Sequence, residues 1–141
     1  MFKRNVINAL FLGSILFIIG LTMFPEASLG IGVDQGGINL VPFYTIGDLL
    51  LHRSFGDFII NNMGNIILFV PFGILLPFKF NSVSSFSKAC LIGMVFSLLI
   101  EIVQLSMPNR WTDIDDVILN TLGTGIGYGL SKLLKNISKT A

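Results

Sequence analysis

Charge is scarce in this sequence. Of 141 residues, nine are Lys or Arg and eight are Asp or Glu, 12% in all, against roughly a quarter in ordinary soluble domains. So few charges cannot cover the surface of a small water-soluble fold, and a mean hydropathy of +0.81 points to lipid as the solvent. Cysteine and histidine are rarer still, with Cys90 and His52 the sole examples. A single cysteine excludes an internal disulfide, and one cysteine with one histidine leaves too few soft ligands for a structural zinc site. Cys90 opens an apolar run and reads as a packed thiol. The chain also lacks a Ser–His pair, a histidine cluster and a Gly-rich phosphate loop. With a net charge of +1 and no basic patch interleaved with aromatics, nothing points to a nucleic-acid partner.

What the sequence does have is apolar length. Four runs, at 6–24, 63–78, 89–107 and 117–134, each approach the roughly 20 residues that span about 30 Å of hydrocarbon. The expected fold is an all-α membrane protein, a bundle of four transmembrane helices forming one domain over 1–141. The second run carries Pro71 and Pro77, tolerable where neighbouring helices satisfy the freed carbonyls. The first follows Lys3 and Arg4 but is longer than a cleavable signal core of about 7–15 residues. It reads as a retained signal-anchor helix.

Charge placement orients the bundle. With four spans, Lys3, Arg4, Lys79, Lys88, Lys132, Lys135 and Lys139 share one side, and only Arg53 and Arg110 lie on the other. The positive-inside rule then puts both termini in the cytoplasm. Glu26, Asp34, Asp48, Asp57, Asp113, Asp115 and Asp116 fall outside. The outer loop 25–62 is long for so small a bundle. Gly30, Gly32, Gly36 and Gly37 make its first part irregular. Between 45 and 60, apolar residues surround Asp48, His52 and Asp57, as in an interfacial or re-entrant helix.

Polar groups inside lipid are costly and therefore informative. An acid at mid-helix costs about 2.5–3.5 kcal/mol on insertion scales, and Glu101 lies about two turns inside the third run, with Gln104 on the same face. Two readings stay open for Glu101: a protonated or Arg110-paired packing group, or a group facing a polar cavity. The fourth run starts with the densest cluster in the chain, Asn109-Arg110-Trp111-Thr112-Asp113-Ile114-Asp115-Asp116. Thr112 or Asp113 can cap the helix, acids suit its N-terminal dipole, and Trp111 suits the interface. Asp113, Asp116, Asn120, Gly123 and Gly127 form one stripe, a polar head on a glycine tail. Gly123-x3-Gly127 and Gly125-x3-Gly129 are small-x3-small patterns for close helix contact, within the chain or in a homo-oligomer. Asn65, a turn inside the second run, is either an interhelical hydrogen-bond partner or a cavity group. Thus Asn65, Glu101, Gln104, Arg110, Asp113, Asp116 and Asn120, from three helices, all fall at the outer end.

Asn39-Leu40-Val41-Pro42-Phe43, then Gly64-Asn65 through Pro71-Phe72-Gly73 with Pro77, then Glu101-x2-Gln104, then Arg110-x2-Asp113-x2-Asp116-x3-Asn120-x2-Gly123-x3-Gly127 together resemble the VanZ-like family of small bacterial membrane proteins. The resemblance covers Asn39 to Leu134. It implies a cell-envelope role, in a family associated with reduced susceptibility to the lipoglycopeptide teicoplanin; it implies no mechanism. Three functions follow. The leading one is handling of an amphiphile at the outer leaflet: a lipid-linked wall precursor, a polyprenyl phosphate or a lipoglycopeptide. Arg110 would contact its anionic head and Asn65, Gln104 and Asn120 would supply neutral hydrogen bonds. The second is an enzyme on such a lipid, with Glu101, Asp113 and Asp116 as acid, base or, at Asp113 and Asp116, ligands of a divalent cation. The third is an assembly partner using loop 25–62. The balance favours binding over catalysis, with no cofactor.

Overall fold

The computed structural model describes residues 4–24, 37–108 and 110–140. Lys3, Glu26, Asp34, Gly30, Gly32, Gly36 and Asn109 therefore lie outside the described residues, as does the Lys139 side chain. Along the chain run α1 (Arg4–Met23), β1 (Gly37–Asn39), α2 (Tyr44–His52), α3 (Phe55–Lys79), α4 (Phe86–Gln104), β2 (Trp111–Asp113) and α5 (Ile114–Thr140). The four long helices alternate in sense. At one end, Lys79 at the close of α3 donates to Asn8 Oδ1 of α1, and Lys135 of α5 donates to the Pro77 carbonyl at 2.9 Å. At the other, Gln104 of α4 reaches the Thr22 carbonyl of α1.

Three helices are long and apolar enough to cross a membrane by length and composition: α1, α3 and α4. The fourth expected span, α5, has the length but is diluted by Asn120, Thr121, Thr124 and four glycines. The packing gives the reason. α5 lies in the groove between α3 and α4, so its buried face meets protein and needs small residues more than apolar ones. The remaining helices are apolar outward. In α1 only Ser14 and Ile18 are buried. In α4 the buried residues are Ala89, Gly93, Ser97, Ile100, Glu101 and Gln104, while Leu91, Val95, Leu99 and Ile102 face out. A small and polar interior beneath an apolar exterior is the arrangement expected of a bundle in lipid. The core gathers Ile18, Phe69, Phe72, Leu76, Ala89, Ile100 and Tyr128 from the helices and Val83 from the α3–α4 link, with Phe11 stacked on Phe72 at 5.5 Å.

Helix boundaries differ from the expected ones where capping overrides hydropathy. α3 starts at Phe55 rather than 63, because Ser54 Oγ accepts from Asp57 N at 3.1 Å and caps it there. The helix expected between 45 and 60 is therefore two pieces: α2, and the first two turns of α3. α4 starts earlier than 89, where Ser85 caps it, and ends at Gln104, three residues before the apolar run does.

The close crossing of α3 and α5 explains one of the two small-x3-small motifs. A Cβ on Gly123 would lie 2.1 Å from the Ile66 carbonyl oxygen, and one on Gly127 would lie 2.2 Å from that of Val70. From the other side, a Cβ on Gly73 would lie 2.2 Å from the Thr124 carbonyl oxygen. Gly123-x3-Gly127 is thus used within the chain. In the second pair, Gly125 meets the Phe86 ring and Cys90, whereas Gly129 has nothing within 4 Å. That pair does not act as a packing unit in this fold.

Candidate functional site

The N-terminus of α5 organises the end of the bundle where the sequence places its polar residues. Asp113 precedes the helix, and its Oδ1 accepts from Asp115 N at 2.9 Å, a capping bond to the second helical residue. The same oxygen accepts from Asn39 Nδ2 at 2.9 Å. That contact is possible because β1 and β2 pair in parallel, with Asn39 opposite Asp113. No strand was expected here, and none is legible in three residues. Glycine at 37 lets the Trp111 ring lie over the strand, since a Cβ there would stand 2.8 Å from it.

Asp115, 1% exposed, turns away from its own helix and serves another. Its Oδ1 accepts from Phe43 N at 2.5 Å and its Oδ2 from Ile46 N at 3.1 Å. Phe43 stands where the N-cap of α2 should be, without a side-chain cap, in the left-handed region at φ 66°. That conformation costs a bulky residue of order 1–2 kcal/mol. It aims the Phe43 amide at a carboxylate, which also suits the positive end of α2. Asn39 completes the turn by accepting from Val41 N at 3.0 Å and donating to Thr45 Oγ1 at 3.1 Å. The Asn39-to-Phe43 motif is thus a wrapper around Asp113, just ahead of α5, and Asp115 in its first turn. Sequence reasoning gave neither Asn39 nor Asp115 a role. The signal available was Phe43 itself, a poor capping residue ahead of a helix.

The seven expected site residues come together as neighbouring pairs rather than one constellation. Glu101, 5% exposed, accepts from Asp113 N at 2.8 Å through Oε2, and its carbonyl accepts from Thr112 Oγ1 at 3.3 Å. Of the two readings open for Glu101, the pairing with Arg110 is not found: among the described residues the one ion pair is His52–Asp48. Asn65 Nδ2 donates to Asp116 Oδ1 at 2.6 Å, bridging α3 and α5. Gln104 Nε2, at 2.8 Å, and Arg110 Nη2 both donate to the Thr22 carbonyl of α1. Asn120 sits deeper and donates to Ser97 Oγ at 2.8 Å.

Three side chains in this set keep buried atoms without a partner: Gln104 Oε1, Asn120 Oδ1, and Arg110 Nε and Nη1. Such atoms are uncommon in folded proteins and each is costly. The half-buried guanidinium is the most demanding, being charged. The carboxylates are differently placed, each with at least one oxygen committed to an N–H of the protein. Among the described residues, no three His, Cys, Asp or Glu side chains are grouped to hold a metal ion. The cavities seen are shallow and lie elsewhere. One of about 350 Å³ is lined by Phe86, Cys90, Leu91, Met94 and Thr121, and another by Ser82, Val83, Lys88 and Ile92.

Comparison with known proteins covers most of the chain. The VanZ/LLP1 family model matches residues 11–135. Protein VanZ of Enterococcus faecium is 37% identical over 108 residues, 74% of this chain and 60% of that protein. The chain thus spans less than two thirds of the length of this curated relative. No solved structure matches it. With a family model spanning nearly the whole chain and a relative 37% identical over 74% of it, the chain belongs to the VanZ-like family.

Proposed function

We propose that this protein handles the head group of an amphiphile at the outer face of a bacterial cytoplasmic membrane, with Arg110 as its anion contact. The amphiphile is a lipid-linked wall precursor, a polyprenyl phosphate or a lipoglycopeptide such as teicoplanin, and the last would connect the site to glycopeptide resistance. In this reading four helices cross the bilayer, α5 being the shielded one, and both termini are cytoplasmic. The alternating helix senses support it, as does the gathering of Lys79, Lys88, Lys132 and Lys135 at the end opposite Glu101 and Asp113. α2 lies in the outer interface. None of its residues is buried, and Tyr44, Leu50 and Leu51 are largely exposed beside Phe43 and Phe55, an apolar surface suited to a headgroup boundary.

The observation that carries the reading is the guanidinium of Arg110. Its Nη2 is anchored on the C-terminal end of α1, and Nε and Nη1 are buried with no acceptor in reach. Leaving a charged donor buried and unpaired costs several kcal/mol, and an anionic head group would remove that cost. Gln104, donating to the same carbonyl as Arg110, supplies a neutral hydrogen-bonding group beside it. Asn65 and Asn120 are engaged with Asp116 and Ser97, and the carboxylates discriminate against dianionic heads by repulsion. The test is lipid analysis of the purified protein by native mass spectrometry. An anionic amphiphile should accompany the wild-type protein and Arg53→Ala, and be absent from Arg110→Ala. Its retention by Arg110→Ala would remove the basis of the proposal.

A further inference from the structure

The partnerless atoms at this site specify more than a negative charge. The Thr22 carbonyl can only accept, so the Gln104 amide must present Nε2 to it, and its Oε1 must be the end left over. Because Gln104 and Arg110 donate to the same carbonyl, the amide head of Gln104 lies beside the guanidinium. Gln104 is 5% exposed, so Oε1 has no bulk water to satisfy it. The site thus offers charged donors and one neutral acceptor around one carbonyl. A bare anion answers the donors and leaves the acceptor orphaned. An anion that also carries an O–H answers both.

Resting on the reading of Arg110 as the anion contact, we propose that the head group is a lipid phosphate monoester bound in its singly protonated form. The unpartnered N–H groups of Arg110 donate to its oxygens, and its own O–H donates to Gln104 Oε1. Among lipid anions this class carries its O–H on the charged group itself, whereas a glycerol or inositol head group carries it several bonds away. Carboxylates, with pKa near 4, have lost their proton at neutral pH. A phosphate diester keeps its charge but has no O–H on phosphorus. A phosphate monoester, with a second pKa near 6, has an accessible form with one charge and one O–H. One charge also matches the one cation, with Glu101 a single turn from Gln104 to disfavour a second.

The test uses a minimal pair of probes, dodecyl phosphate and its methyl ester, methyl dodecyl phosphate, binding to the full-length protein in an uncharged detergent. The two differ by one O–H replaced with O–CH3. Wild-type protein should bind the monoester about tenfold more tightly, the worth of one hydrogen bond involving a charged group. Gln104→Met, which keeps the side-chain volume, should bring the two affinities to within about threefold. Inorganic phosphate should bind far more weakly than dodecyl phosphate. Equal wild-type affinities for the two probes would overturn the monoester assignment and leave the amphiphile reading standing. Binding of neither probe would overturn both. Inorganic phosphate binding as tightly as dodecyl phosphate would overturn the lipid part. The wild-type comparison needs no variant to fold.

Discussion

Substituting Gly123 with alanine adds one methyl group to the most crowded point of the α3–α5 crossing. The new Cβ would lie 2.1 Å from the Ile66 carbonyl oxygen, more than 1 Å short of an ordinary 3.4 Å contact. The obstacle is backbone on both sides, so no rotamer change relieves it, and the helices must separate along their contact. Overpacking of this kind typically costs about 1–3 kcal/mol. The same substitution at Gly129, on the same helix with nothing within 4 Å, should stabilise by up to about 1 kcal/mol through helix propensity alone. Gly73→Ala meets the same seam from α3, with its Cβ 2.2 Å from the Thr124 carbonyl oxygen. The separation that admits one methyl admits the other, so Gly73→Ala/Gly123→Ala should cost less than the sum of the single changes. Reversible unfolding in mixed micelles of increasing SDS fraction measures all four variants against wild type. If Gly123→Ala unfolds together with Gly129→Ala, the helices do not approach as described and the packing role of the glycine stripe is wrong.

Asp115→Ala leaves the Phe43 and Ile46 amides without an acceptor, at a cost of about 1–3 kcal/mol. Hydrogen exchange should show lost protection confined to 43–52, and unchanged exchange there would contradict the wrapping of α2 onto Asp115. Gly37→Ala should push the Trp111 ring aside, read as a shift in the emission of this single tryptophan; an unchanged spectrum would refute the β1–β2 contact. For orientation, in a Cys90→Ala background, Arg53→Cys should react with an impermeant maleimide in intact cells and Asn81→Cys only after lysis. The opposite pattern would place the polar cluster inside.

Composition alone pointed to lipid as the solvent, because seventeen charges are few to solvate a surface rich in Leu, Ile, Val and Phe. Period and spacing went further. They placed Glu101 and Gln104 on one face of one helix and joined Asp113, Asp116, Asn120 and Gly123 into one stripe, since helical geometry is local and repeats every 3.6 residues. They could not say what each polar group meets. Gly123 and Gly129 sit in the same kind of motif, yet only the tertiary structure brings a carbonyl to one and open space to the other. Glu101 turned from Arg110 to the Asp113 amide, and Asp115 left its own helix to cap α2, because such partners depend on how three helix ends are brought together. Hydropathy likewise mistook the edges of α3 and α4, where single serine caps decide. The apolar runs and the polar stripe were legible in the sequence; the inward polar pairings, and the half-paired guanidinium of Arg110, belong to the fold.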